Sequence, residues 1–183
     1  DMTARHVCAR SVEELAPMRG SKYVQSDLGD SFAQARELLE AGTPVLFSGV
    51  PCQVDGLKRY LGKDYPSLLT CDLVCHGVPS PAVFRAYLDS LEAAHGSKVV
   101  SVRFKDKSHG WSHPWFTAEF ADGGVYTEDF NRTGYGRGFG MQLFLRPACA
   151  KCRYTSTSRP ADFTLADYWG LDEKLALPVE RDK

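Results

Sequence analysis

Apolar residues recur along the chain with two periods, and the elements they predict change character near residue 97. From Ser31, the residues Phe32, Ala35, Leu38 and Leu39 share a helical face, Ser31 and Gln34 have capping-box spacing, and Gly42 marks the stop. Val45 to Ser48 is a short apolar run of strand length. The turn Gly49-Val50-Pro51-Cys52 leads into a second helix with Val54, Leu57 and Leu61 on one side and Gly62 at its end. A further apolar run covers Leu68 to Val74. Ser80-Pro81 then supplies an N-cap and a first-turn proline for a stripe of Val83, Phe84, Tyr87, Leu88 and Leu91, closed by Gly96.

Strands alternating with helices predict parallel pairing through crossover helices. Beyond residue 97 the period shortens: Val100, Val102 and Phe104 alternate. Phe116, Ala118 and Phe120 precede the turn Asp122-Gly123-Gly124, with Tyr126, Glu128 and Phe130 after it, which is a hairpin pattern. The predicted class is α/β, with a mixed β-sheet, parallel βαβ units in the first half, an antiparallel hairpin in the second, and helices packed on the sheet. The glycines between Asn131 and Gly140 interleave with aromatics and predict a mobile or ligand-approaching loop. We expect one domain over 1–183 in three stretches: a leading segment 1–30, a βαβ part 31–96, and 97–183 with the hairpin, the glycine-rich loop and a cysteine motif. The first residue is Asp1, and the charged stretch up to Lys183 closes nothing, so the expectation is a piece of a longer protein.

Composition narrows the function classes. In 183 residues, 43% are hydrophobic, 25% are charged and the formal net charge is −1, which suits a globular domain. Charges of both signs are interspersed, so no basic footprint for nucleic acid or an anionic membrane surface stands out. No run approaches the ~18 apolar residues of a membrane span, and Asp1 to Arg10 lack the apolar core of a signal peptide. The expected location is the cytoplasm.

Six cysteines in a chain of that kind point to metal or redox chemistry ahead of a disulfide framework. Cys149-Ala150-Lys151-Cys152 is a C-x-x-C, a spacing used by zinc, by iron–sulfur clusters and by redox disulfides. Cys52 and Cys75 each lie just past an apolar strand and before a helix, the edge where open parallel sheets put their ligands. Cys8 and Cys71 are read as packing residues, Cys71 because it falls within the run Leu68 to Val74.

Five blocks follow in order. They are Gly20-Ser21-Lys22-Tyr23-Val24-Gln25-Ser26, Phe47-Ser48-Gly49-Val50-Pro51-Cys52-Gln53, Cys75-His76-Gly77-Val78-Pro79-Ser80, Arg146-Pro147-Ala148-Cys149-Ala150-Lys151-Cys152, and Asp162-Phe163-Thr164-Leu165-Ala166-Asp167-Tyr168-Trp169-Gly170. In order and spacing they resemble the coenzyme F420 hydrogenase/dehydrogenase beta-subunit family, here its catalytic domain. The resemblance implies an FAD-dependent oxidoreductase module that passes electrons between one [4Fe-4S] cluster and a hydride donor or acceptor through the flavin. It implies Cys52, Cys75, Cys149 and Cys152 as cluster ligands. It implies as partners an electron-donor or acceptor protein, or a ferredoxin-like domain in the same longer chain, and a small-molecule redox substrate. Members include archaeal deazaflavin reductases and chlorophyll-pathway reductases, so the family does not define the substrate.

For the flavin or the incoming substrate, the candidate contacts are Ser21, Lys22, Tyr23, Gln25, Gly77, Ser80, Arg103 and Lys105. The positive end of the helix at Ser80-Pro81 favours a phosphate or the anionic cluster. Gly49 and Gly77 suit close backbone approach to a ligand. Arg103 and Lys105 are equally well read as solvated strand-edge charges. His76 is a candidate for tuning the cluster or a plain turn histidine, His109 and His113 flank Trp111 with no third metal ligand in view, and Trp111, Trp115 and Trp169 are stacking candidates or core. A competing reading is a non-enzymatic interaction domain in which the same four cysteines hold structural zinc. A thiol-redox protein acting through Cys149 and Cys152 lacks the expected C-x-x-C at a helix start after the first strand.

Overall fold

In the computed structural model, which describes residues 2–107 and 114–167, the regular elements are α1 (Ser31–Glu40), β1 (Val45–Ser48), α2 (Pro51–Leu61), β2 (Leu68–Leu73), α3 (Pro81–His95), β3 (Val99–Asp106), β4 (Trp115–Phe120), β5 (Val125–Asp129), α4 (Gly134–Gly140) and β6 (Phe163–Leu165). The parallel first half and the antiparallel hairpin of the second are both present, but in separate three-stranded sheets, β1-β2-β6 and β3-β4-β5. Where the pattern suggests one domain, the contacts group into two compact units. Residues 2–27 join Gly77–Ala150, and Leu28–His76 join residues 151–167. Each sheet has its own apolar cluster, which is the physical reason for the division.

In the parallel-sheet unit, β2 lies between β1 and β6, with Ser48 opposite Cys71 and Leu73 opposite Leu165. Val54, Leu57 and Leu61 of α2 and Ala35 and Leu39 of α1 pack with Phe47 on one side of this sheet. Leu46, Leu69, Leu73, Phe163 and Leu165, at alternate positions, are exposed. The capping box expected from Ser31 and Gln34 does not form, and no side chain caps the start of α1. Asp30 is the N-cap, and Gln34 Nε2 donates to Asp30 Oδ1 at 2.8 Å. Gly42 closes the helix at φ +77°.

The antiparallel unit has an aromatic core. Phe84 and Leu88 of α3 pack with Phe104, Phe116, Ala118, Phe120, Phe130, Tyr135 and Phe139. The alternation expected along β3 is broken by register shifts, so Val99 and Phe104 are buried while Val100 is 53% exposed. Ser80 is the N-cap of α3 by backbone geometry, but its side chain makes no capping bond.

The glycine-rich stretch from Asn131 to Gly140 differs most from expectation: Gly134–Gly140 is a helix with Tyr135, Gly136, Gly138 and Phe139 buried. The hydroxyl of Thr133 caps it by accepting the Gly136 N–H at 2.9 Å. Two of its glycines, Gly136 and Gly138, admit neighbouring protein atoms. A Cβ on Gly136 falls 1.8 Å from the Phe130 carbonyl oxygen, and one on Gly138 falls 2.5 Å from Phe144 Cε1.

Two stability measurements check this unit. Gly136→Ala meets backbone and is expected to cost at least about 2 kcal/mol in urea unfolding. Gly134→Ala meets nothing within 4 Å and should leave stability unchanged or slightly raised. The second concerns Glu92, whose carboxylate accepts from Lys98 Nζ at 2.6 Å and Arg85 Nη2 at 2.7 Å. These bonds hold its pKa at about 2. An unfolded glutamate titrates near ~4.3, so the stabilisation is present above that value and is lost as pH falls toward 2. The gap in urea midpoint between the parent and Glu92→Gln should be wide at neutral pH and close in acid.

Candidate functional site

The carboxyl edge of the parallel sheet is built by two turns. After β1, Gly49 N donates to the Cys71 carbonyl at 3.1 Å, and Gln53 Oε1 accepts the Val50 N–H at 3.0 Å, which starts α2 with Cys52 as its second residue. A Cβ on Gly49 lies 3.0 Å from Gln53 Oε1, so the close approach at this glycine is to its own turn. After β2, Val74 N donates to Leu165 O at 2.9 Å, and Cys75 follows. Because β1 and β2 are parallel, Cys52 and Cys75 share one edge, and both are half-buried. Beside Cys75, His76 is exposed.

Cys149 lies in a 3-10 turn, Pro147–Lys151, where its N–H donates to Arg146 O at 2.8 Å, and Cys152 follows that turn, exposed. The C-x-x-C crosses a unit boundary, Cys149 belonging to the antiparallel unit and Cys152 to the parallel one. The six cysteines form no disulfide. Among the described residues, no three His, Cys, Asp or Glu side chains converge on a point as a single ion requires.

Beyond Cys152 the chain is pinned by side chains that the pattern did not single out. Tyr154 donates its hydroxyl to Asp55 Oδ2 at 2.6 Å. That bond, with Arg59, holds the Asp55 carboxyl below its usual range. Arg159 donates to Tyr154 O at 2.7 Å and to Leu73 O at 2.8 Å, and its Nη2 lies 3.2 Å from Asp72 Oδ1. Asp72 also accepts from Thr164 at 2.6 Å, while Asp162 Oδ2 accepts from the Thr70 N–H and hydroxyl, each at 2.6 Å. The signal was in the sequence. An aspartate inside an apolar strand run needs a partner, and Asp162 and Thr164 alternate as Thr70 and Asp72 do.

The flavin-contact candidates all lie in the antiparallel unit, in separate places. Gln25 donates its N–H to Pro79 O at 3.0 Å and, with Val24, Ser26 and the first turn of α3, lines a cavity of about 480 Å³. Ser80, the N-cap, precedes that turn. Tyr23 stacks on Phe130 at 5.3 Å, with Lys105 Nζ 5.4 Å above its ring. Lys22 Nζ is spent locally, donating to the carbonyls of Met18 and Arg19 at 3.2 Å, and neighbouring Ser21 is exposed. Arg103 donates to Asp106 at 3.0 Å and Glu119 at 2.6 Å, an ion-paired position on its own sheet. At Gly77, φ is +146° and a Cβ falls 2.4 Å from Leu145 Cδ1, so the space there is taken by a leucine.

Trp115 is half-buried on β4. His109, Trp111, His113 and Trp169 lie outside the described residues. Cys8 is exposed and not a packing residue, since its segment carries no regular element to bury it, whereas Cys71 is buried at 5% exposure.

The site is thus a parallel α/β unit with two cysteines at its carboxyl edge, joined in sequence to a C-x-x-C. The sequence matches the family described as the C terminus of the coenzyme F420 hydrogenase/dehydrogenase beta subunit, over residues 42–181, and the chain belongs to that family. The block Gly20 to Ser26 precedes the matched span. No curated protein matches. Among solved structures, the chain is similar to one in the F420-reducing [NiFe] hydrogenase complex from Methanosarcina barkeri, at 18% identity and a TM-score of 0.45. The match covers 81% of this chain and 48% of that one, so this chain spans about half its length. Among the described residues, no helix is long and apolar enough to cross a membrane.

Burial and the neighbouring Asp72 push the Cys71 thiol pKa up, leaving less thiolate to react at a given pH. Under iodoacetamide at neutral pH, peptide mapping should find Cys8 and Cys152 modified first and Cys71 last. Cys71→Ala should cost about 1 kcal/mol of packing stability.

Proposed function

We propose that the chain is the catalytic part of an iron–sulfur flavoprotein oxidoreductase, in which Cys52, Cys75, Cys149 and Cys152 hold one [4Fe-4S] cluster and FAD exchanges hydride with a small-molecule substrate. The observation that carries this reading is the shared edge of Cys52 and Cys75 in a chain of this family. The donor chemistry fits: four thiols with no carboxylate among them are the ligand set of cubane clusters. We assign the cavity beside Gln25 and Ser26 to the flavin nucleotide, because it is lined by Pro81, Ala82 and Arg85 at the start of α3, where the helix dipole favours an anionic group. When bound, the cluster and flavin convert single electrons into hydride transfer.

The protein's part is to bind and exclude. The turns at Gly49 and Val74 hold the two edge thiols at fixed points. Tyr23, stacked among Phe104, Phe130 and Phe139 with Lys105 over its ring, presents a cation beside an apolar wall suited to an anionic, ring-bearing ligand. Cysteines without disulfides suit a reducing compartment, and we assign the protein to the cytoplasm. Its partner is an electron-carrier protein or a ferredoxin-like domain of a longer chain.

Anaerobic reconstitution of the chain with iron and sulfide tests the reading. The parent should bind about four irons with a broad visible charge-transfer band, and Cys52→Ser, Cys75→Ser, Cys149→Ser and Cys152→Ser should each lose most of it. Equal iron in the parent and all four variants, or a colourless chain holding one zinc, would sink the cluster assignment.

A further inference from the structure

We infer that Arg159 and Tyr154 are positioning residues for the thiol site, tying the segment that carries Cys152 to the strand that leads to Cys75 and to the helix that carries Cys52. This rests on the reading of those cysteines as cluster ligands. Every contact involved lies within the parallel-sheet unit.

One guanidinium meets three places. Arg159 donates to Tyr154 O within the segment, donates to Leu73 O at the end of β2, and faces the Asp72 carboxylate at 3.2 Å. The Asp72 side chain is fully buried, and among the described residues neither its Oδ2 nor Arg159 Nε has a hydrogen-bond partner. Stability alone does not account for such a pair: a buried ion pair with unsatisfied atoms contributes little, and apolar residues of similar volume commonly do as well. What the pair does is specify geometry. A planar fork can hold a strand end and a loop carbonyl at once, which an ammonium cannot do in the same way.

Tyr154 does the corresponding job on the other side. Its hydroxyl binds Asp55, three residues beyond Cys52 on α2 and therefore on the same helical face. The hydroxyl is the donor in that bond, at 2.6 Å. Tyr154 stands two residues after Cys152 in the chain, so the segment is fastened on both sides shortly after that thiol. Neither side chain supplies a ligand; both set where a ligand sits.

The test compares Arg159→Lys, Tyr154→Phe and, as a control, Arg59→Gln, which removes a different bond to Asp55. Each is made in the whole chain and reconstituted anaerobically with iron and sulfide. The first two are expected to take up iron and then lose it to a chelator at least about tenfold faster than the parent, as when an outer partner of a metal ligand is removed. They should also show a displaced reduction potential, while the control behaves as the parent. Parent-like extraction and potential in both variants overturn the inference, since a merely stabilising contact would change the thermal midpoint and leave the potential in place. If the parent itself takes no iron, the cluster reading fails. Hydrogen exchange of residues 150–160 without iron then decides the pinning alone: faster exchange in both variants upholds it, and parent-like exchange removes it.

Discussion

The pairing of β2 with β6 carries the candidate site. It joins segments 92 residues apart, and the entropy of closing so long a loop must be met by what the seam gains. Apolar packing is not the main source, because Phe163 and Leu165 are exposed. The seam is closed by polar groups: Thr70 with Asp162, Asp72 with Thr164, and Arg159 across both Asp72 and the Leu73 carbonyl. Without this pairing β2 would keep β1 as its only neighbour in the sheet, and the segment after Cys152 would lose its hold on the strand leading to Cys75.

A buried aspartate in a three-stranded sheet is a costly way to build a seam. It makes sense if position matters more than stability. The same trade is visible at the turn after β1, where Gly49, Val50 and Gln53 lock the start of α2 through two hydrogen bonds. Cys52 and Cys75 thus arrive at the sheet edge by way of short, bonded turns, not free loops. Side chains carried on such turns keep a fixed separation.

The antiparallel unit is organised by aromatic rings and by glycines that let backbone come close. Tyr23 lies against Phe104, Phe130 and Phe139, and Tyr135 donates its hydroxyl to the Tyr23 carbonyl at 2.6 Å. Gly136 admits the Phe130 carbonyl and Gly138 the Phe144 ring. This packing fixes the stretch around Tyr23 to Gln25 next to the start of α3, and so shapes the cavity there.

The helices α1, α2 and α3, the strands β1 and β2, the hairpin and the buried Cys71 were legible in the sequence, because each rests on local periodicity and on Gly or Pro punctuation that acts within a few residues. The shared edge of Cys52 and Cys75 was legible for the same reason: strand–helix alternation implies parallel strands, and parallel strands put both turns on one side. Only tertiary structure decided the rest. The separation into two sheets depends on β6 pairing with a strand 92 residues away, and periodicity carries no information about distant partners. Glycines at Gly136 and Gly138 signal close approach in either case, and whether ligand or protein approaches is settled by what packs there. The candidate cations divided likewise: Lys22 went to local carbonyls, Arg103 to carboxylates of its own sheet and Lys105 to the Tyr23 ring. Charge type is written in the sequence, but the partner that uses it is chosen by the fold.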